Sequence, residues 1–268
     1  MHSPDLTAYL AHPSEAEREF GLLFRPDEAL VIMDIGACEG EDSVRYARLF
    51  PQARVFAFEP LPANQAVIRD NFTRYAVTNA ELVPLALSDA PGRATFHVSS
   101  GRPSDLFAGE DWNYGNKSSS LLTPAQSGPM HGWIEFKETI KVPTGTLDEF
   151  CAQRGLDHID FIQMDVQGAE QLVLAGARAM LPKITAIWLE VSARELYRGQ
   201  ALDADIKRWM RQHGFKLGYA TYRGDGIEGD HLYVNLRQAR TWGYALTRRL
   251  RSAAGRLKLR LHSLSSSP

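Results

Sequence analysis

Short apolar runs alternate with longer amphipathic ones along most of this chain. Ser14 opens an amphipathic stretch to about Phe24, which predicts a helix broken at Pro26. Ala29–Ile35 is a short, largely apolar run and predicts a buried strand. A helix follows over about Glu41–Leu49, then a second strand over Arg54–Phe58. That strand ends at Glu59-Pro60, because proline cannot donate to a sheet ladder. The pattern continues with a helix over about Pro62–Tyr75, a strand over Glu81–Leu87 and an edge strand over Arg93–Val98. From Ser99 to Glu138 the period is lost in favour of Gly, Ser, Pro and Asn with Trp112, Tyr114 and Trp133. So long an irregular stretch in a compact domain predicts a functional loop.

Regularity resumes at Thr146-Leu147-Asp148-Glu149, a capping-box pattern that opens a helix. Ile159–Met164 and Ile184–Val191 predict strands, Gly168–Leu181 and Asp203–His213 helices, and Phe215–Tyr222 and His231–Leu236 two closing strands. Strands alternating with helices imply an α/β fold whose mainly parallel sheet is covered on both faces. No repeat and no linker divides the chain. The expectation is one domain over 1–236 and a basic C-terminal helix or tail over 237–268.

Charge sharpens that division. The sequence holds 30 Lys and Arg against 32 Asp and Glu, yet Arg237 onward carries eight of the basic residues and no acidic one. The body is therefore acidic, with 22 basic against 32 acidic residues, and nucleic acid is not an expected partner. The tail interleaves Trp242, Tyr244, Leu246, Leu250 and Leu257 with arginine. It reads first as a solvated terminal helix and second as a peripheral contact with an anionic membrane face. No apolar run approaches the ~20 residues that span a bilayer. Cys38 and Cys151 lie far apart, and the first twenty residues lack a leader's apolar core. The expected location is cytoplasmic, with the inner face of a membrane open through the tail. Oligomeric state is left open.

In an open parallel sheet, ligands bind beyond the carboxyl ends of the strands. Those ends carry Asp34-Ile35-Gly36-Ala37-Cys38-Glu39-Gly40, Glu59-Pro60, Ser88-Asp89, Asp165 and Glu190. Gly36 and Gly40 frame a tight turn that lets a ligand approach the backbone. Glu59 ends the second strand, where an acid accepts hydrogen bonds from ribose hydroxyls. The Gly-x-Gly-x-x-Gly fingerprint is absent, which favours a nucleoside without a pyrophosphate. Asp165 reads as a substrate-facing carboxylate or as a helix N-terminal acid. Glu190 faces the same edge. Glu170 and His231 read as structural, Cys38 as a packing residue, and His131 as a solvated loop residue. No cluster has metal-ligand spacing.

Four segments together carry a resemblance. They are Met33-Asp34-Ile35-Gly36-Ala37-Cys38-Glu39-Gly40, Phe56-Ala57-Phe58-Glu59-Pro60, Leu85-Ala86-Leu87-Ser88-Asp89, and Ile162-Gln163-Met164-Asp165-Val166-Gln167-Gly168-Ala169-Glu170. In this order and spacing the chain resembles the FkbM family of S-adenosylmethionine-dependent methyltransferases from about Phe20 to Asn235. Ser118–Leu122 and Leu196–Gln200 also look like family segments. The resemblance implies a Rossmann-like class I methyltransferase with a seven-stranded sheet and an antiparallel last strand. It assigns Gly36 and its neighbours Asp34, Ala37, Gly40 and Ser43 to the methionine part of S-adenosyl-L-methionine. Glu59 with Pro60 goes to the ribose, and Ser88-Asp89 to the adenine.

The implied reaction is O-methylation of a sugar, glycan or secondary-metabolite hydroxyl. A hydroxyl is a poor nucleophile at neutral pH, so a base helps; Asp165 is the first candidate and Glu190 the second. The chain departs from the family at Cys38, where Asn is usual, at Gln163 for Lys and at Gln167 for Glu. The last two put a catalytic role at those positions in doubt. They keep a non-catalytic binding protein of the same fold, at a membrane surface, as an alternative. A nicotinamide-dependent oxidoreductase is the other, supported by Glu59 and opposed by the missing middle glycine.

Overall fold

A computed structural model describes residues 5–102, 114–125, 132–224, 226–238, 240–241 and 243–244. Two short helices, α1 (Thr7–Ala11) and α2 (Glu15–Phe20), precede the first strand. The Ser14 side chain caps α2 by accepting from the Glu17 N–H. Then come β1 (Val31–Ile35), α3 (Glu41–Leu49), β2 (Arg54–Phe58), α4 (Pro62–Arg74), β3 (Ala80–Val83), β4 (Ala86–Leu87), β5 (Gly92–Ser100) and β6 (Glu135–Gly145). The second half adds α5 (Leu147–Arg154), β7 (Ile159–Met164), α6 (Glu170–Ala175), β8 (Ile184–Ser192), α7 (Asp203–Gln212), β9 (Phe215–Tyr222) and β10 (Glu228–Asn235).

Seven strands form one sheet in the order β3-β2-β1-β7-β8-β10-β9. Its pairs are parallel from β3 through β8. Strand β10 runs antiparallel to both neighbours. This is the expected class I methyltransferase sheet, with the last strand in sequence reversed. Alternate residues of the central strands feed two cores. Met33, Ile35, Phe56, Phe58, Ile162 and Ile187 pack against α5, α6 and α7. Ile32, Val55, Phe161, Trp188 and Leu232 pack against Phe20, Tyr46 and Phe50 on the other face. Phe20 lies edge-on to Phe161 at 4.4 Å and to Phe50 at 4.6 Å. Such aromatic pairs add about 0.5–1.5 kcal/mol each beyond burial, and they fasten α2 and α3 over the sheet.

Three sequence expectations are corrected. The strand expected over Glu81–Leu87 is divided, because Pro84 cannot donate to the ladder. Strands β4, β6 and β5 build a separate three-stranded sheet, so the expected edge strand near Arg93–Val98 belongs there. The helix expected over Gly168–Leu181 stops at Ala175. Gly176 follows it, and a Cβ there would lie 2.0 Å from the Ser88 carbonyl oxygen. Among the described residues no helix is long and apolar enough to cross a membrane. His131, Trp112, Trp242 and the tail beyond residue 244 lie outside the described residues. Near the chain end, Tyr244 is buried and its hydroxyl donates to Glu19 at 2.5 Å.

Candidate active site

The sheet order reverses direction at β1, whose neighbours are β2 on one side and β7 on the other. Crevices at such switch points hold ligands. Gly36 (φ +87°) leaves β1 so close to β7 that a Cβ would sit 1.9 Å from the Asp165 carbonyl oxygen. Glycine is needed at this contact between two backbones. Gly40 (φ +77°) turns the chain into α3, and its amide donates to the Ala37 carbonyl at 2.6 Å. Between them Cys38 sits at φ +50°, a conformation that Asn tolerates better than most residues. Its amide donates to Glu59 Oε2 at 2.9 Å, and burial pushes its thiol pKa up. Cys38, expected only to pack, also lines the cleft and the cavity beside it.

Glu59 is 4% exposed. Oε1 accepts from the Leu61 amide at 2.7 Å and Oε2 from the Cys38 amide at 2.9 Å. Burial raises its pKa to about 7 against the pull of these donors. An ionised carboxylate has about four acceptor sites, so two remain for ribose hydroxyls. The cleft here spans about 530 Å³, counting space open to solvent, and is lined by Gly36, Glu59, Pro60, Leu87, Asn116 and Asp165, among others. A positive-φ glycine, a buried acceptor and an apolar wall at a switch point fit an adenosyl group.

Not every expected residue reaches the cleft. Leu85, Ala86 and Leu87 line it, whereas Ser88 and Asp89 do not; Ser88 Oγ donates to Asp89 Oδ1 at 3.1 Å. Asp34 and Ser43 are buried and bonded to one another at 2.5 Å, which ties β1 to the first turn of α3. Asp34 and Ala37 line an adjoining cavity of about 470 Å³, and Ser43 lines neither.

Asp165 lines the cleft, the adjoining cavity and a third, more open one of about 750 Å³. The third is walled by Tyr9, Glu15, Asp42, Gln163, Trp188 and Asp230, with Ser14 and Ala16. Glu190 lines none of the three. It is buried, and Arg223 holds its Oε1 at 2.6 Å. Burial, with the charge of Asp165, keeps its pKa well above the usual carboxylate range. Glu170 accepts from the Val166 and Gly168 amides, the structural role expected of it. His231 is fully buried against Tyr233, and burial lowers its pKa to about 4.

The residue that sequence reasoning undervalued is Gln167. Its Nε2 donates to Asp165 Oδ1 at 2.7 Å and to Glu190 Oε2 at 3.0 Å. Its Oε1 lies 2.9 Å from the Tyr197 hydroxyl, and its carbonyl accepts from Ser120 Oγ at 2.7 Å. It holds φ +54°, a conformation costly outside glycine and Asn. One amide therefore spaces two carboxylates and joins them to the loop. In Gln167→Glu, a third carboxylate enters this group and its folded-state pKa is raised. Stability should drop by about 1–3 kcal/mol at pH 8 and recover as the pH falls and the new acid is protonated. Thermal unfolding at pH 8 and 5.5 checks this; an equal deficit at both would rule out charge as the cause.

The family model for the methyltransferase FkbM domain matches residues 34–217. The 2-O-methyltransferase NoeI of Sinorhizobium fredii is 39% identical over 216 residues, covering 81% of this chain and 83% of that protein. The 31-O-demethyl-FK506 methyltransferase FkbM of Streptomyces tacrolimicus is 28% identical over 210 residues, covering 74% and 76%. The solved structure of M. capricolum TrmK with S-adenosylhomocysteine superposes with a TM-score of 0.45 at 11% identity, over 84% of this chain and 70% of that one. With the family model spanning most of its length, the chain belongs to the FkbM methyltransferases, enzymes that use S-adenosylmethionine.

Proposed function

We propose that the chain methylates a hydroxyl oxygen of a sugar, glycan or hydroxylated secondary metabolite, with Asp165 as the base. The observation that carries this is the place of Asp165, which lines both the switch-point cleft and the open cavity. S-adenosylmethionine supplies, when bound, a methyl group made electrophilic by its sulfonium. The chain supplies alignment and a proton acceptor. Gly36 and Ala37 present backbone to the methionine end, Glu59 accepts from the ribose, and Pro60 with Leu85–Leu87 packs on the adenine. Gln167 occupies Asp165 Oδ1, so Oδ2 takes the hydroxyl proton. Glu190, clamped by Arg223 and Gln167, holds the arrangement in place.

The names of NoeI and FkbM support oxygen as the acceptor atom. The open cavity supports an uncharged, hydroxyl-rich acceptor. Its described walls carry Glu15, Asp42, Asp165 and Asp230 and neither Lys nor Arg, which repels phosphate. Purified protein with methyl-labelled cofactor should label a neutral oligosaccharide or a hydroxylated small molecule. Label passing to RNA instead would overturn the reading.

The ribose role of Glu59 has a pH signature. Hydroxyls donate to the ionised form, so affinity for S-adenosylhomocysteine should fall as the pH drops below about 7. The slope should approach about tenfold per pH unit. Calorimetric titration from pH 6 to 8.5 reads it, and a flat profile would remove Glu59 from that role.

A further inference from the structure

One wall of the cofactor cleft comes from the loop between β5 and β6. A single helical turn, Tyr114–Ser118, places Asn116 in the cleft at 6% exposure. Its Nδ2 donates to Glu39 Oε1 at 3.0 Å and to Asn64 Oδ1 at 3.2 Å. Both partners are acceptors, so the amide has only one sensible orientation. Oδ1 is then left without a hydrogen-bond donor among the described residues, and Glu39 Oε2 shares that condition. A buried acceptor without a donor costs about 1–3 kcal/mol. Asn64, Asn116 and Glu59 line the same cleft, and the Asn64 side chain reaches Sγ of Cys38 at 3.7 Å, whose amide donates to Glu59. The Asn116 acceptor without a donor thus shares the cleft with the carboxylate read as the ribose acceptor.

We propose that Asn116 is a cofactor-binding residue whose Oδ1 accepts a hydrogen bond from a ribose hydroxyl of the adenosyl group. The proposal rests on the adenosyl reading of the cleft. Glu59 takes one hydroxyl with the acceptor capacity its backbone donors leave, and Asn116 takes the other. The loop is thereby part of the cofactor site. Lys117, next in the chain, pairs with Glu41 on α3, and the Tyr197 hydroxyl lies 2.7 Å from the Ser118 carbonyl oxygen. These contacts hold the turn across the strand ends.

The test is calorimetric titration with S-adenosylhomocysteine and its 2′-deoxy and 3′-deoxy analogues, on the wild type and on Asn116→Ala. Asn116→Ala should bind S-adenosylhomocysteine about tenfold more weakly. One of the deoxy analogues should lose nothing further in the variant, because its missing hydroxyl is the one Asn116 holds. Hydrogen exchange on the wild type provides a readout that needs no folded variant. S-adenosylhomocysteine should protect residues 114–118 more than that deoxy analogue does. Equal loss for all three ligands in the variant, with equal protection of the turn, would assign Asn116 a structural role and overturn the proposal. Absence of S-adenosylhomocysteine binding by the wild type would overturn the adenosyl reading itself. Normal wild-type binding with an unaffected variant would overturn Asn116 alone.

Discussion

Asp165→Asn should lower kcat by about 10²–10⁴-fold, the usual contribution of a general base, while affinity for S-adenosylhomocysteine stays within about threefold. The substitution is nearly isosteric. Asn keeps an oxygen that can accept from Gln167 Nε2, so the spacing between Gln167 and Glu190 survives. It cannot take a proton. The backbone amide of residue 165 still donates to the Ile35 carbonyl at 3.0 Å, which leaves the β1–β7 crevice intact. The loss should therefore appear in kcat and leave cofactor binding untouched. Single-turnover kinetics with saturating cofactor reads the chemical step directly. Turnover near that of the wild type would show that alignment alone drives transfer, and the base would have to be sought elsewhere or dismissed. Glu190 is the poorer substitute, since Arg223 and Gln167 already occupy its oxygens and it lines none of the three cavities around Asp165.

The sheet was legible because its central strands are apolar on both faces and punctuated at their ends. Nine consecutive buried residues make β8, and Gly36, Glu59 and Asp165 directly follow the strands they end. The small sheet was illegible for the opposite reason. Strand β6 pairs on both sides, yet only Val142 and Gly145 of its eleven residues are buried, and its alternating side chains are mostly charged or polar. The site divides in the same way. Gly36, Gly40, Glu59 and Asp165 announce themselves by residue type at strand ends. Gln167 and Asn116 do not, because their importance lies in what they bridge: one joins two carboxylates, the other joins a loop to Glu39 and Asn64. A departure from the family pattern at Gln167 looked like a loss of function, and only the contacts reveal a clamp. The N-terminal wall of the open cavity, with Tyr9 and Glu15, gave no signal because it lies more than a hundred residues from Asp165 in sequence.

Gly36→Ala should cost more than about 3 kcal/mol of folding stability, well above the typical effect of a single substitution, and should abolish cofactor binding in whatever remains folded. Two causes act together. The left-handed φ of +87° disfavours any side chain, and the new methyl group would meet the Asp165 carbonyl oxygen at 1.9 Å. That neighbour is backbone and cannot rotate away. Relief requires β1 and β7 to part at their carboxyl ends, which breaks the Asp165-to-Ile35 bond. Gly40→Ala is the control. Its φ is also left-handed, at +77°, but the nearest atom is an Ile68 side-chain carbon at 3.2 Å, which can shift. About 1 kcal/mol is expected there. Urea unfolding of both variants, with calorimetry on the folded fraction, separates a glycine kept for turn geometry from one kept for contact between strands. A Gly36→Ala loss no larger than that of Gly40→Ala would mean that the β1–β7 contact yields easily. The crevice would then be a soft one, and the position of Asp165 would have to be set by Gln167 alone.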